Sequence, residues 1–337
     1  MTLTTQSRRT FLTVAGAAAV AMVAAACSSP ADAESAADVA GDLVPLTVGA
    51  PWNGTAGKEP AETGPFGYAV DLGLADSILA DHSFSYAGFV GFNNGPPAIQ
   101  ALQTNDIQIA LLGDTPATQA RASGIELPAA YISRPTADIW FLGREGGVGS
   151  IAELGGLTVG LQFGSNFDKY GRAVLEREGV IDDVELVNLL FADALPALQR
   201  GEVDAVPLPA STAGIWLLQN DFTILSKASE DDPDLLATSV GLVSEQIAES
   251  NPEIGEAVWQ VWRAGADKIE DDHEAYAAWV EEKTGAPAAI VLESNLWRYA
   301  TEPADPEGLA TVESTLEFLI DSGTATDSFD PAAWVLP

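Results

Sequence analysis

Between Leu46 and Leu225 the chain alternates short apolar runs with segments whose apolar residues recur every three or four positions. The first pattern predicts strands and the second helices, because side chains change face at every strand residue but return to one helix face after a turn. Strands are predicted at Leu46–Ala50, Phe84–Val90, Ile107–Leu112, Ala129–Ser133 and Ile139–Leu142. Helices are predicted between them at Tyr68–Leu79, Pro97–Gln103 and Thr115–Ala122, the first with Val70, Leu72, Leu74, Ile78 and Leu79 as its apolar positions. A glycine-rich stretch around 143–150 interrupts the alternation. It restarts with strands at Thr158–Leu161, Val184–Leu189, Ala205–Leu208 and Thr223–Leu225, and helices at Asn166–Glu178 and Ala194–Gln199. Repeated strand–helix–strand units predict an α/β fold of parallel-rich sheets covered by helices on both faces.

The restart divides the folded body into two expected lobes, residues 43–143 with 229–337, and residues 144–228. Leu235–Val243 is an apolar, strand-like run that would return the chain to the first lobe. Beyond it the pattern is helical. Trp259, Trp262, Tyr276, Trp279, Trp297 and Tyr299 fall at the spacings of a packed apolar stripe and are read as core.

Ahead of the folded body, Ser7-Arg8-Arg9-Thr10-Phe11-Leu12 sets a twin arginine before an apolar run, Val14–Ala26. The run is too short for a lasting membrane span and has no polar face, so residues 1–26 read as an export signal. The pattern resembles a twin-arginine translocation signal. Ala24-Ala25-Ala26-Cys27, followed by Ser28 and Ser29, resembles a lipoprotein processing site, which implies a lipid on Cys27. Ala24 stands where such sites most often carry leucine. The alternative is cleavage after Ala33 in Ala31-Asp32-Ala33, which would release a soluble protein. Cys27 is the only cysteine, so a disulfide, thiol catalysis and a thiolate metal site are all excluded. Residues 27–42 are mostly Ala, Ser, Asp and Glu, too poor in large apolar groups to offset ordering entropy, and read as a tether.

Charge narrows the partners. Fifteen Lys and Arg stand against 49 Asp and Glu, a net charge of −34, which repels nucleic acid and anionic lipid. The acidic residues are spread along the chain, a pattern suited to salty surroundings where screening removes self-repulsion. No catalytic constellation emerges. His82 and His273 are the only histidines and lack metal-ligand spacing. Asp231-Asp232 and Asp271-Asp272 have no calcium-loop framework, and there is no Gly-x-Ser-x-Gly elbow, Walker loop or dinucleotide fingerprint. No cofactor is expected.

What stands out is a set of helix starts placed directly after predicted strands. Gly113-Asp114-Thr115-Pro116 offers Thr115 as N-cap and Pro116 as first helical residue. Gly164-Ser165-Asn166 offers Ser165 as N-cap, with Asp168 three residues on as in a capping box. Asn94-Gly95-Pro96-Pro97 and Asp193 open two more. Any one of these is explained as a good cap. Four on two lobes predict a shared cleft, because helices starting at the carboxyl ends of parallel strands aim free N–H groups into the crevice beside the sheet.

The segment Pro97–Lys227 resembles the ABC-transporter periplasmic proteins that bind aliphatic sulfonates, taurine, nitrate and related solutes. The carrying residues are Ala98-Ile99-Gln100-Ala101-Leu102, Gly113-Asp114-Thr115-Pro116-Ala117, Ser150 to Val159, Gly164-Ser165, Ala192 to Leu198, and Gly201-Glu202-Val203-Asp204-Ala205, in matching order and spacing. The resemblance implies a two-lobed periplasmic-binding-protein fold of type II, hinged at two crossing strands and closing on its ligand. It also implies that Gly113, Asp114 and Thr115 of one lobe and Gly164, Ser165 and Asn166 of the other hold the ligand head group. Two departures fall where the cleft would be lined: a long Gly/Pro-rich loop, Pro51–Phe66, carrying Trp52 and Asn53, and Val206–Ser211, carrying Pro209. Asn94 and Asp193 join the set as helix starts, and Arg134 and Lys169 are the nearby cations.

These readings give an exported, lipid-anchored, monomeric solute-binding protein on the outer face of the cytoplasmic membrane. Its implied partners are a small organic solute and an ABC permease–ATPase complex. An aliphatic sulfonate or taurine-like solute is favoured; Asp114, a carboxylate beside the head group, keeps a cationic or zwitterionic solute and a neutral heterocycle open. The competing class is an enzyme on the same scaffold acting on a sulfur compound or thiamine precursor. That would need a reactive Cys or paired His in the cleft, and the folded body carries neither.

Overall fold

The computed structural model describes residues 43–52 and 57–337. Its ten strands are β1 (Val44–Pro51), β2 (Phe84–Phe92), β3 (Ile109–Gly113), β4 (Ala129–Ile132), β5 (Ile139–Gly143), β6 (Thr158–Leu161), β7 (Glu185–Asn188), β8 (Ala205–Pro209), β9 (Thr223–Lys227) and β10 (Ser239–Val243). They form two five-stranded sheets, β2-β1-β3-β10-β4 and β7-β6-β8-β5-β9, with helices around each. In both sheets the first three strands run parallel and the fourth runs antiparallel to its neighbours. This is the two-lobed periplasmic-binding-protein fold.

The antiparallel strand of each sheet is the one by which the chain enters that lobe. β5 follows the first crossing, 133–138, and β10 follows the second, 228–238. Ile139–Gly143 therefore belongs to the second sheet, and the expected boundary at 143/144 moves back to the crossing. All five residues of β5 are buried, so its apolar run reads the same in either lobe. The returning strand is shorter than the run Leu235–Val243, because Pro233–Leu235 forms a short 3₁₀ turn before β10 begins at Ser239.

Each sheet separates two cores. Ile109 and Leu111 of β3 face the aromatic helices, while Ala110 and Leu112 face the opposite layer with Ile99 and Leu102. In the second lobe Ile139 and Phe141 of β5 face one layer, and Trp140 and Leu142 the other. Strict alternation into two dry layers is what a sheet covered on both faces requires. Among the C-terminal aromatics, Trp259, Trp262, Tyr276 and Tyr299 are buried in the first lobe, with Trp259 stacked on Trp262 at 5.2 Å. Trp279 and Trp297 are half-buried at its edge. The expected helix Tyr68–Leu79 is two helices, Pro65–Asp71 and Leu74–Asp81, broken where Gly73 turns left-handed at φ +71°. His82 bonds Glu253 and Gln260, and His273 stacks on Trp297. Among the described residues no helix is long and apolar enough to cross a membrane, and no acidic or histidine cluster is suited to a metal.

Candidate functional site

The two crossings lie side by side. Ser133 N–H donates to the Ser239 carbonyl at 3.0 Å, and Asp138 accepts from both N–H and hydroxyl of Ser229 at 2.8 and 2.6 Å. Together they floor a cleft of about 330 Å³ between the lobes. Its walls are strand ends. Pro51 ends β1, Gly113 ends β3, Gln162 follows β6 and Pro209 ends β8, so four of the six parallel strands deliver a residue from the carboxyl end. Asn94, Gly95 and Pro116 complete the first wall; Ser165, Asn166, Phe167 and Phe191 complete the second. Phe167 meets Phe191 edge-on at 4.8 Å, which gives the second wall an aromatic surface. A separate hollow of about 380 Å³, near Gln103 and Glu249, is lined by the first lobe alone.

Of the expected site residues, Asn94, Gly113, Ser165, Asn166 and Pro209 line this cleft. Asn94 precedes the helix Gly95–Gln103 and its buried Oδ1 has no partner. Ser165 caps the helix Asn166–Arg177, accepting from Asp168 N–H at 3.3 Å, while Asp168 accepts from Gly164 N–H at 3.0 Å. Gly164 itself stands just behind the wall in the left-handed region, φ +74°. Three expectations change. The helix over 114–122 is capped by Gly113, so Asp114 is its first residue, and Thr115 is buried with an unpartnered hydroxyl instead of capping. The helix Phe191–Arg200 starts after Leu190, which leaves Asp193 exposed in its first turn and away from the cleft. Arg134 is held by Asp305, at 3.0 Å from Nε and 2.7 Å from Nη2, and does not line the cleft. Trp52 packs half-buried against Gly91 beside the cleft, and Asn53 lies outside the described residues.

Asp114 and Lys169 sit beneath the cleft floor. Asp114 is fully buried and Lys169 is 3% exposed. Asp114 accepts from Asn166 Nδ2 at 2.6 Å, from Thr238 N–H at 3.0 Å and from the Thr315 hydroxyl, with Lys169 Nζ 4.0 Å away. Lys169 donates to Thr315 Oγ1 at 2.6 Å. Burial pushes the Asp114 carboxyl up and the Lys169 ammonium down, and each charge opposes the other's shift. The network joins the helix Asp114–Ala122, the helix Asn166–Arg177, the second crossing and the C-terminal helix Pro306–Asp321. Neither expected cation is therefore free to meet a ligand.

Sequence reasoning missed the crossings. Thr136, Ala137, Asp138, Ala237, Thr238 and Ser239 all line the cleft. Asp138 is 5% exposed and spends its carboxylate on Ile139 N–H, Trp140 Nε1 and Ser229. Among the described residues it is the only charged side chain lining the cleft, and no cation pairs with it. A usable signal was present, because two lobes joined by two crossings must expose both crossings to the cleft between them.

Residues 90–275, more than half of the chain, match the family described as NMT1/THI5 like. The chain belongs to the NMT1/THI5-like family. Two proteins of Escherichia coli (strain K12) are similar in sequence. One is named as an aliphatic sulfonates-binding protein, 25% identical over 244 residues that cover 71% of this chain and 75% of that protein. The other is a taurine-binding periplasmic protein, 26% identical over 54% of this chain and 57% of that protein. The crystal structure of the periplasmic aliphatic sulphonate binding protein SsuA from Escherichia coli superposes with a TM-score of 0.69. It is 22% identical, and the match covers 87% of this chain and 92% of SsuA. The desulfurization enzyme DSZB shares the fold as well, with a TM-score of 0.66 at 17% identity, over 87% of this chain and 96% of that one.

Proposed function

We propose that this NMT1/THI5-like protein is an extracytoplasmic solute-binding protein. It captures a small organic solute of the aliphatic sulfonate or taurine kind in the interlobe cleft and hands it to an ABC importer. The observation that carries the reading is the meeting of strand ends and helix starts from both lobes on one cleft, at Gly113 and Asn94 on one side and Ser165 on the other. Among the described residues the N–H groups of Asn166 and Phe167 have no protein acceptor, and a sulfonate oxygen there meets both the donors and the positive end of the helix. Phe167, Phe191, Pro51 and Pro209 then contact the organic body.

The cleft supports capture over turnover. It holds no thiol and no histidine, and its single carboxylate already accepts four hydrogen bonds. The enzyme on this fold keeps the alternative specific, and turnover of an alkanesulfonate or a sulfinate by the purified protein would establish it. The reading also places a lipid on Cys27, export by the twin-arginine route, and a monomer at the outer face of the membrane.

The test is a tryptophan-fluorescence titration with alkanesulfonates and aminosulfonates, alongside small-angle scattering. Saturable binding with a smaller radius of gyration in the bound state is expected, because hinge closure around ligand compacts two lobes. A solute that binds in the cleft without compaction would overturn the hinged-capture reading.

A further inference from the structure

Asn166 is the cleft residue whose orientation the surrounding chemistry fixes. Its Nδ2 donates to Asp114 Oδ1 at 2.6 Å, and the residue is 9% exposed. Every neighbour of Asp114 brings a donor: Thr238 N–H, the Thr315 hydroxyl, the Lys169 ammonium and the Asn166 amide. Thr238 N–H can only donate, and it reaches Asp114 Oδ1 at 3.0 Å, so this oxygen, which the Asn166 amide also faces, is an acceptor whether or not Oδ2 carries a proton. The Asn166 amide must therefore turn its NH₂ toward Asp114 and its carbonyl oxygen the other way. Gly113 confirms how tightly this amide is seated. A Cβ on Gly113 would stand 2.2 Å from Asn166 Oδ1, so only glycine lets the first lobe approach so closely. Among the described residues no protein donor reaches Asn166 Oδ1, and both Asn166 and Gly113 line the cleft.

We infer that Asn166, oriented from behind by Asp114 and Lys169, is a specificity-determining residue that presents a carbonyl oxygen to the solute and so selects one that brings an N–H or O–H donor to this wall. The inference rests on the cleft being the solute site. The electrostatics agree with it, because Asp138 adds a negative charge to the lining and no cation there offsets it. A sulfonate oxygen set against Asn166 Oδ1 would leave two acceptors facing each other in a low-dielectric site, which a closely matched donor avoids. The sulfonate end is then held at the free N–H groups of Asn166 and Phe167, and the opposite end carries the donor.

A matched set of probes reads this directly: ethanesulfonate, 2-hydroxyethanesulfonate and 2-aminoethanesulfonate, titrated calorimetrically. The wild type is expected to bind both donor-bearing probes at least about tenfold more tightly than ethanesulfonate, the scale of one good hydrogen bond to a buried group. In the double variant Asp114→Asn/Lys169→Met the carboxylate no longer dictates the amide's orientation, and the preference is expected to fall to within about threefold. Equal binding of the three probes by the wild type, or a preference untouched in the double variant, overturns the inference. If none of the probes binds, the sulfonate reading fails by itself, and Asn166 is judged by ¹⁵N-edited NMR. Its side-chain NH₂ protons are expected to be protected from water exchange in the wild type and unprotected in the double variant. Exchange as fast as that of an exposed asparagine in the wild type overturns the inference without reference to any ligand.

Discussion

Asp114 and Lys169 show how a buried pair can be costly and still be kept. Each is nearly or fully buried, and burial moves both toward their neutral forms. Removing one partner strands the other's charge in a buried site. Asp114→Asn or Lys169→Met alone is therefore expected to cost about 3–5 kcal/mol of folding stability, while the double variant returns close to the wild type. Urea unfolding of the four proteins in the cycle measures this, and additive losses would mean that the two residues do not act as a pair. The linkage has a sign. A raised carboxyl favours the folded state below the ordinary carboxylate range and loses that contribution as pH rises through its folded value. The depressed ammonium contributes above the ordinary lysine range and loses its contribution as pH falls through its own folded value. Cys27 raises a different question at the same scale. Cys27→Ser is expected to leave folding intact and move the protein from the membrane fraction to the soluble one, since it removes the only thiol a lipid could use. Unchanged membrane association would assign the attachment to another part of the chain.

At the scale of elements, the two crossings depend on Asp138. From the end of the first crossing its carboxylate ties Ile139 N–H and Trp140 Nε1 at the start of β5 to Ser229 on the second crossing, all within 2.6–2.8 Å. Asp138→Ala would leave the buried Trp140 Nε1 and the Ser229 N–H without acceptors, at about 1–3 kcal/mol each. A fall of that order in stability, with a red-shifted Trp140 emission, is the expected outcome; an unshifted spectrum would show that water or another group replaces the carboxylate. Ser165→Ala removes a cap, the hydroxyl's bond to the Gln162 carbonyl at 2.6 Å and a polar group of the cleft wall, so a loss of about 1 kcal/mol of folding is expected together with weaker solute binding. These elements also show what a sequence makes legible. Strands such as Thr158–Leu161 were visible because a short apolar run, buried on both faces and flanked by turn residues, leaves a local imprint. The break at Gly73 was not, because the apolar spacing of Val70, Leu72 and Leu74 continues through it and only the left-handed φ reveals the turn. Ser165 and Asn94 were found as helix starts, since caps are local. Asp138 and Thr238 were not, because their place in the cleft depends on two crossings about a hundred residues apart meeting side by side. Lys169 was recognised as a cation near the site, but its burial beneath Thr315 is set by the C-terminal helix, on which no local pattern bears.

Across the whole molecule the dominant feature is charge. A net of −34, with 49 acidic residues spread along the chain, makes the folded state repel itself at long range. Between 0.1 and 1 M salt the screening length falls from about 10 Å to about 3 Å, which removes most repulsion between exposed carboxylates while sparing buried pairs such as Asp114–Lys169. The unfolding temperature is therefore expected to rise with sodium chloride over that range and to level off as screening saturates. The helix Pro306–Asp321 offers a local probe of the same term. Glu313 and Glu317 are exposed, one turn apart on the same face, and among the described residues neither has a cationic partner. Like charges at this spacing destabilise a helix by about 0.2–0.5 kcal/mol at low salt. Glu313→Gln/Glu317→Gln should then raise the unfolding temperature at 0.1 M salt and narrow the rise produced by 1 M salt. Calorimetric scans of wild type and variant at both concentrations make the comparison. Should the wild type melt at one temperature regardless of salt, self-repulsion is not what limits its stability. Should the variant keep the full salt increment, the increment comes from elsewhere on the surface than this helix.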